Sequence, residues 1–200
     1  MSTKFHFLFI SIFTILIFSC SGNPSENTQV DSKISANETE QVKSLENVQQ
    51  QTPLEFIIKR NQNSTARYIV NEQLVKLPAP NDAMGSTKDI VGKIILSENG
   101  QISTHHNSSL EVNMLSLKSD SSRRDDYMKR KSLESNTYPT AYFQITKINN
   151  LTYPIPENQK LDFELIGTLT IREISKEVSW DVSGKFDGTK LTGLAKTEFK

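Results

Sequence analysis

Beyond Ala66 the chain alternates apolar and polar residues with a period of two, the pattern of strands that bury one face. Leu161, Phe163, Leu165, Gly167, Leu169 and Ile171 share one parity, and Asp162, Glu164, Thr168, Thr170 and Arg172 fill most of the other. Val178, Trp180 and Val182 alternate with Glu177, Ser179, Asp181 and Ser183. The spacing recurs at Ile90-Gly92-Ile94-Leu96, Leu110-Val112-Met114, Ala141-Phe143-Ile145 and Leu191-Gly193-Ala195-Thr197-Phe199. Turn residues stand at Glu98-Asn99-Gly100 and Asp187-Gly188. So many one-faced strands predict an all-β fold, an antiparallel barrel or sandwich.

Ser121 to Ser135 breaks this pattern. It lacks alternation and is dense in helix formers, with Ser121 or Ser122 as N-cap and Asp125 and Asp126 in the first turn. One short helix over about 121–135 is therefore expected inside the β chain. Tyr127, Met128 and Leu133 give it a modest apolar side, while Arg123, Arg124, Lys129, Arg130 and Lys131 make it the most basic window of the protein. Those charges suit a solvated helix whose C-terminal end complements the dipole. The functional alternative is a basic lid beside a barrel mouth, with Arg123 and Arg124 placed to meet an anionic headgroup.

The N-terminus is of another kind. After Lys4, residues Phe5 to Phe18 form a fourteen-residue run of which eleven are apolar, the length of a secretory h-region and short of the roughly 20 residues of a membrane span. Leu16-Ile17-Phe18-Ser19-Cys20 then resembles the lipobox of bacterial lipoproteins, which implies acylation of Cys20 and export to the cell envelope. An acylated Cys20 would anchor the protein in one leaflet without spanning it. Residues 21 to about 52 are rich in Ser, Asn, Gln and Glu and contain no aromatic residue, so they cannot offset chain entropy by burial. The expected organisation is a signal peptide over 1–20, a tether over 21–60 with a reach of about 30 Å, and a folded domain over 64–200.

Charge and chemistry narrow the function by exclusion. The chain carries 23 basic and 23 acidic residues; setting aside Lys4 and the two Lys and five Asp or Glu of residues 21–52 leaves 20 and 18 for the domain. A domain this near neutrality gives no charge signal for nucleic acid. One cysteine excludes an intramolecular disulfide framework and a multi-cysteine metal site. His105 and His106 are sequence neighbours, which on a strand would face opposite ways and could not share one metal. No Gly-rich phosphate loop, Gly-x-Ser-x-Gly elbow or His-Glu-x-x-His helix is present. The expectation is a binding protein and not an enzyme, without cofactor or metal.

Several segments then carry a family pattern. Gly92-Lys93-Ile94, Leu110 through Leu117, Arg124-Asp125-Asp126-Tyr127, Glu134 through Phe143, Gly167-Thr168-Leu169-Thr170-Ile171 and Lys176-Glu177-Val178 resemble, in order and spacing, the YceI-like family over about 64–200. The resemblance implies a lipocalin-like antiparallel barrel in the periplasm whose apolar interior holds a long-chain isoprenoid or similar lipid. In such a barrel Ile94, Leu96, Val112, Met114, Phe143, Ile145, Phe163, Leu165, Leu169, Trp180 and Val182 would line the ligand. The family usually places glycine in the hairpin where this chain has Glu173, and it continues with further strands where this sequence stops in mid-strand at Phe199-Lys200. Either the barrel is incomplete at the C-terminal side or it closes in another way. The alternative function is a ligand-free interaction or structural module on the envelope, its core filled by side chains.

Overall fold

Alternation becomes pairing in the computed structural model, which describes residues 5–6, 53–60, 63–72 and 81–198. The strands are β1 (Phe5–His6), β2 (Leu54–Ile58), β3 (Ala66–Glu72), β4 (Asn81–Thr87), β5 (Ile90–Leu96), β6 (Ser108–Asn113), β7 (Lys118–Ser119), β8 (Thr140–Asn149), β9 (Lys160–Ile171), β10 (Ile174–Phe186) and β11 (Leu191–Lys196). Seven form one antiparallel sheet in the order β11-β10-β9-β8-β6-β5-β2; the rest form a second sheet, β1-β3-β4-β7. Cys20 and most of the signal and tether segments lie outside the described residues.

The large sheet is curled into a half-barrel. β2 closes one margin and β10 is next to the other, yet the rings of Phe56 and Phe186 meet edge to face with centroids 6.1 Å apart. Curling leaves little room on the concave face, and Gly167 marks the tightest point. A Cβ there would fall 2.0 Å from the carbonyl oxygen of Gln144 on β8. The β3–β4 hairpin packs Ala66, Tyr68 and Val70 into the same core as the curled sheet. Gly85, opposite Tyr68 in register, leaves space for its ring.

Several local departures from strict alternation have identifiable causes. Ile94, Ile95 and Leu96 are all buried, because Ile102 bridges back to Leu96 and the Ser103 amide donates to the Ile95 carbonyl, covering the outer face. On β8 the register shifts between Ile145 and Lys147, which lets Thr146 and Lys147 both face solvent and returns Ile148 to the core. β6 ends at Asn113, whose side chain accepts from the Leu115 amide, and Met114 enters the core from a 3-10 turn over Met114–Ser116. β11 ends at Lys196 with Thr197 buried, and Phe199 lies outside the described residues.

Residues 54–58, which lie inside the tether expected over 21–60, instead form β2. Leu54, Phe56 and Ile58 turn one parity inward, and Phe56 and Ile58 are buried against β5. Three apolar residues at spacing two suffice when a neighbouring strand covers them. The β9–β10 hairpin turns through Arg172-Glu173, and the left-handed residue is Arg172 at φ 59 rather than Glu173. A non-glycine residue there costs roughly 1 kcal/mol. Arg172 is held by an ion pair to Glu134, 2.6 Å, and donates to the Ser132 carbonyl, which ties the hairpin to the inserted segment. β10 pairs with β9 from Ile174 to Lys185 but with β11 only from Asp181 to Phe186.

The inserted segment begins as α1 (Ser122–Tyr127) and continues as a π turn over Met128–Ser132. Ser121 is the N-cap, its hydroxyl accepting from the Arg124 amide. Asp125 is buried and accepts from both the amide and the hydroxyl of Ser119, at 3.0 and 2.7 Å, which fastens the helix to β7.

Candidate functional site

The concave face of the half-barrel encloses an apolar cavity of about 60 Å³. β8 contributes Phe143, β9 contributes Phe163, Leu165 and Leu169, β10 contributes Trp180 and Val182, and Ile94 of β5 faces them across the curl. Each points inward through the pleat of its strand, as the alternation predicts. Phe143 and Trp180 stack at a tilt with centroids 5.9 Å apart, so the indole forms part of the wall. A second apolar space of about 20 Å³ lies beyond Phe163, which borders both, and Leu96 lines it together with Phe56, Ile148 and Leu161.

Three predicted lining residues are placed elsewhere in the core. Val112, Met114 and Ile145 are buried, yet they border neither space. Val112 sits across from Ala141, and Ile145 lies against Gly167, where the concave face has no depth to spare. Conversely, Ile90, Leu110, Ala141, Leu191 and the β11 residues Gly193, Leu194 and Ala195 border the larger cavity without having been singled out. Ile90, Leu110, Ala141, Leu191, Gly193 and Ala195 all stand in the alternating runs, so parity held the signal. Leu194 has the opposite parity and borders the cavity because β11 is a sheet margin.

The wall is chemically plain. Its side chains are aliphatic or aromatic, and the indole Nε1 of Trp180 is the only heteroatom among them. Such a wall can exclude water and make dispersion contacts; it holds no nucleophile, acid, base or metal ligand. His105 and His106 are not on a strand but in an exposed bend before β6, with His106 Nδ1 3.1 Å from Ser103 Oγ. Among the described residues no group of three or more His, Cys, Asp or Glu could hold a metal ion.

Charges gather outside the wall. Beside Val182 and Phe163 an outer groove exposes Asp162, Glu164, Asp181 and Lys196. Hydrogen bonds from Ser179 and Asn149 hold the Glu164 carboxyl below its ordinary range. The two arginines predicted for a headgroup differ in setting. Arg123 is exposed, whereas Arg124 is mostly covered, paired with Asp120 and donating to Ser119 Oγ. Burial beside this cluster raises the Tyr68 phenol above its ordinary value, so it stays neutral at physiological pH.

No curated protein matches the chain. Among solved structures, the Campylobacter jejuni YCEI protein is 18% identical with a TM-score of 0.45, covering 62% of this chain and 71% of that one. BcnA of Burkholderia cenocepacia is 14% identical at a TM-score of 0.45, over 68% and 96%. A polyisoprenoid binding domain from Saccharophagus degradans, implicated in plant cell wall breakdown, is 8% identical at a TM-score of 0.46, over 68% and 94%. Residues 59–200 match the YceI-like domain. That span takes in β3 to β11 and the whole cavity wall, so the chain belongs to the YceI-like domain family.

Proposed function

We propose that this protein is a membrane-anchored binding protein that holds the hydrocarbon of a polyisoprenoid or another long-chain amphiphile on the concave face of its half-barrel. The observation that carries this is the wall, apolar over its whole lining and built from five neighbouring strands plus β11. A space of about 60 Å³ takes only a short piece of chain. The remainder would lie along Val178, Val182 and Ala195, which are only partly covered. Each methylene moved from water onto that trough contributes about 0.8 kcal/mol. The anchor in this reading is acylated Cys20, followed by a tether; both rest on the sequence pattern.

The small volume favours one second reading, a ligand-free envelope module whose barrel is filled by its own side chains. Trp180 separates the two, because it is the only tryptophan and forms part of the wall. Titrating a long-chain isoprenoid into the protein is expected to shift its emission saturably, while a short-chain alcohol of the same headgroup leaves it unchanged. Lipid should also be recovered by mass spectrometry from protein purified out of membranes. No recovered lipid together with a flat titration would put the ligand-free module ahead.

A further inference from the structure

The register gathers one set of loops at one end of the half-barrel. Asn113 pairs with Thr140, Tyr142 with Thr170, and Ile171 with Ile174, so the turn after β6, the start of β8 and the β9–β10 turn share a level. Ile90 pairs with Val112 and Ile58 with Gly92, which brings Lys59, Arg60, Lys88 and Asp89 to the same end. The segment between β7 and β8, α1 included, therefore lies there too. The Arg172–Glu134 ion pair fixes it to the β9–β10 turn.

This end is basic and carries exposed apolar side chains. Within Ser121 to Ser135, five basic residues stand against three acidic ones, and of those acids Asp125 is buried under Ser119 while Glu134 is paired with Arg172. Arg124 is taken up by Asp120, whereas Arg123, Lys129 and Lys131 enter no ion pair of the described residues. Lys88 and Lys118 at the same end are exposed, and they and the cations of the inserted segment outnumber the exposed acids there, Asp120, Asp126 and Glu173. Of the five large hydrophobic residues left exposed among the described residues, three are here: Leu115 at 38%, Tyr127 at 60% and Ile174 at 59%. Met84 and Tyr153 lie elsewhere, on β4 and in the loop before β9. The opposite end, with Glu98, Glu157, Asp187, Lys160 and Lys190, is of mixed sign.

Cations interleaved with an aromatic and two aliphatic residues are the surface that an interfacial membrane contact uses. The cations meet lipid phosphates, and the apolar groups enter the headgroup layer. A soluble polyanion would need the charges but not Tyr127, Leu115 and Ile174. We propose that this end docks on a bilayer rich in anionic lipid, with Arg123, Lys129, Arg130 and Lys131 on the headgroups and Tyr127 between them. The contact is independent of whether the cavity holds a ligand, and it makes the domain lie end-on to the membrane.

The test reads lysine reactivity on the full chain mixed with an excess of vesicles. A membrane-impermeant acylating reagent, read by mass spectrometry, reports Lys129 and Lys131 against Lys185 and Lys190 of the far end. On phosphatidylcholine containing roughly one-third phosphatidylglycerol, Lys129 and Lys131 are expected to react several-fold more slowly than on phosphatidylcholine alone, with Lys185 and Lys190 unchanged. High salt should abolish the difference. Arg123→Glu with Arg130→Glu should weaken docking by roughly thirty-fold or more, and Tyr127→Ala should weaken it without altering net charge. Equal reactivity on the two vesicle types overturns the proposal. So does protection spread evenly over both ends, or protection by a short single-stranded DNA that matches the vesicles and is indifferent to Tyr127→Ala.

Discussion

A Gly167→Val chain is expected to lose its fold under conditions where the parent is stable. Gly167 is in β9, an interior strand of the seven-stranded sheet, and the position of its missing Cβ is 2.0 Å from the Gln144 carbonyl oxygen and 2.9 Å from Ile145 Cα, both backbone atoms of β8. Ordinary carbon–oxygen contacts begin near 3.3 Å, so β8 and β9 must part by more than an ångström. No rotamer relieves this, because the obstacle is not a side chain. Parting the strands weakens their hydrogen bonds and loosens Ile145, Leu165 and Leu169. The cost is about 4 kcal/mol or more against a typical domain stability of roughly 5–15 kcal/mol. Urea unfolding followed by far-ultraviolet dichroism checks it, with Thr168→Ala on the outer face as a control expected to cost less than about 1 kcal/mol. Should Gly167→Val unfold within about 1 kcal/mol of the parent, the curl at this level is not fixed by the backbone approach.

Phe163→Ala is expected to act in opposite directions on stability and on ligand capacity. Phe163 borders both the larger cavity and the smaller space toward Phe56, and truncating it would join the two. Losing a buried phenyl group costs about 3–5 kcal/mol. The enlarged space would accept more of a hydrocarbon chain, so a long-chain isoprenoid should bind tighter and restore part of the loss. At a hundredfold excess over Kd the restored amount is about 2.7 kcal/mol. Thermal melts with and without the isoprenoid measure both effects. Destabilisation that added lipid never reverses would mean that the wall is core alone.

How much of this was legible in the sequence depends on what alternation encodes. Parity gives the face of a strand, and it placed Phe143, Phe163, Leu165, Leu169 and Trp180 on the concave side correctly. It carries no information about the level along the barrel axis, which is set by register. Val112, Met114 and Ile145 are therefore inward but away from the cavity. The helix was legible through Ser121 and the acidic first turn, whereas its passage into a π turn at Met128 left no mark on the residue pattern. The partner of Arg124 was equally hidden, since whether its side chain reaches back four residues to Asp120 is decided by the cap at Ser121. β2 was missed because its alternation is only five residues long and lies next to polar sequence. The glycine-free hairpin at Arg172 was visible as an oddity, but its reason, an arginine anchored to Glu134 from 38 positions away, needed the fold.

The uneven pairing of β10 also bears on how the sheet avoids pairing with other chains. From Ile174 to Ser179 the strand has β9 on one side and, among the described residues, no strand on the other, so half of its backbone donors and acceptors face outward in an extended row. A row of that kind recruits strands from other chains, and Ile174 and Val178 would give such a pairing its apolar grip. Lys176 and Glu177 stand at its centre, both exposed. Each would bring a charge into any stacked assembly of identical chains, where like charges repeat at every rung. The pair acts as a gatekeeper on a stretch of the curled sheet that has, among the described residues, no neighbour on one side, and this protection is independent of any ligand.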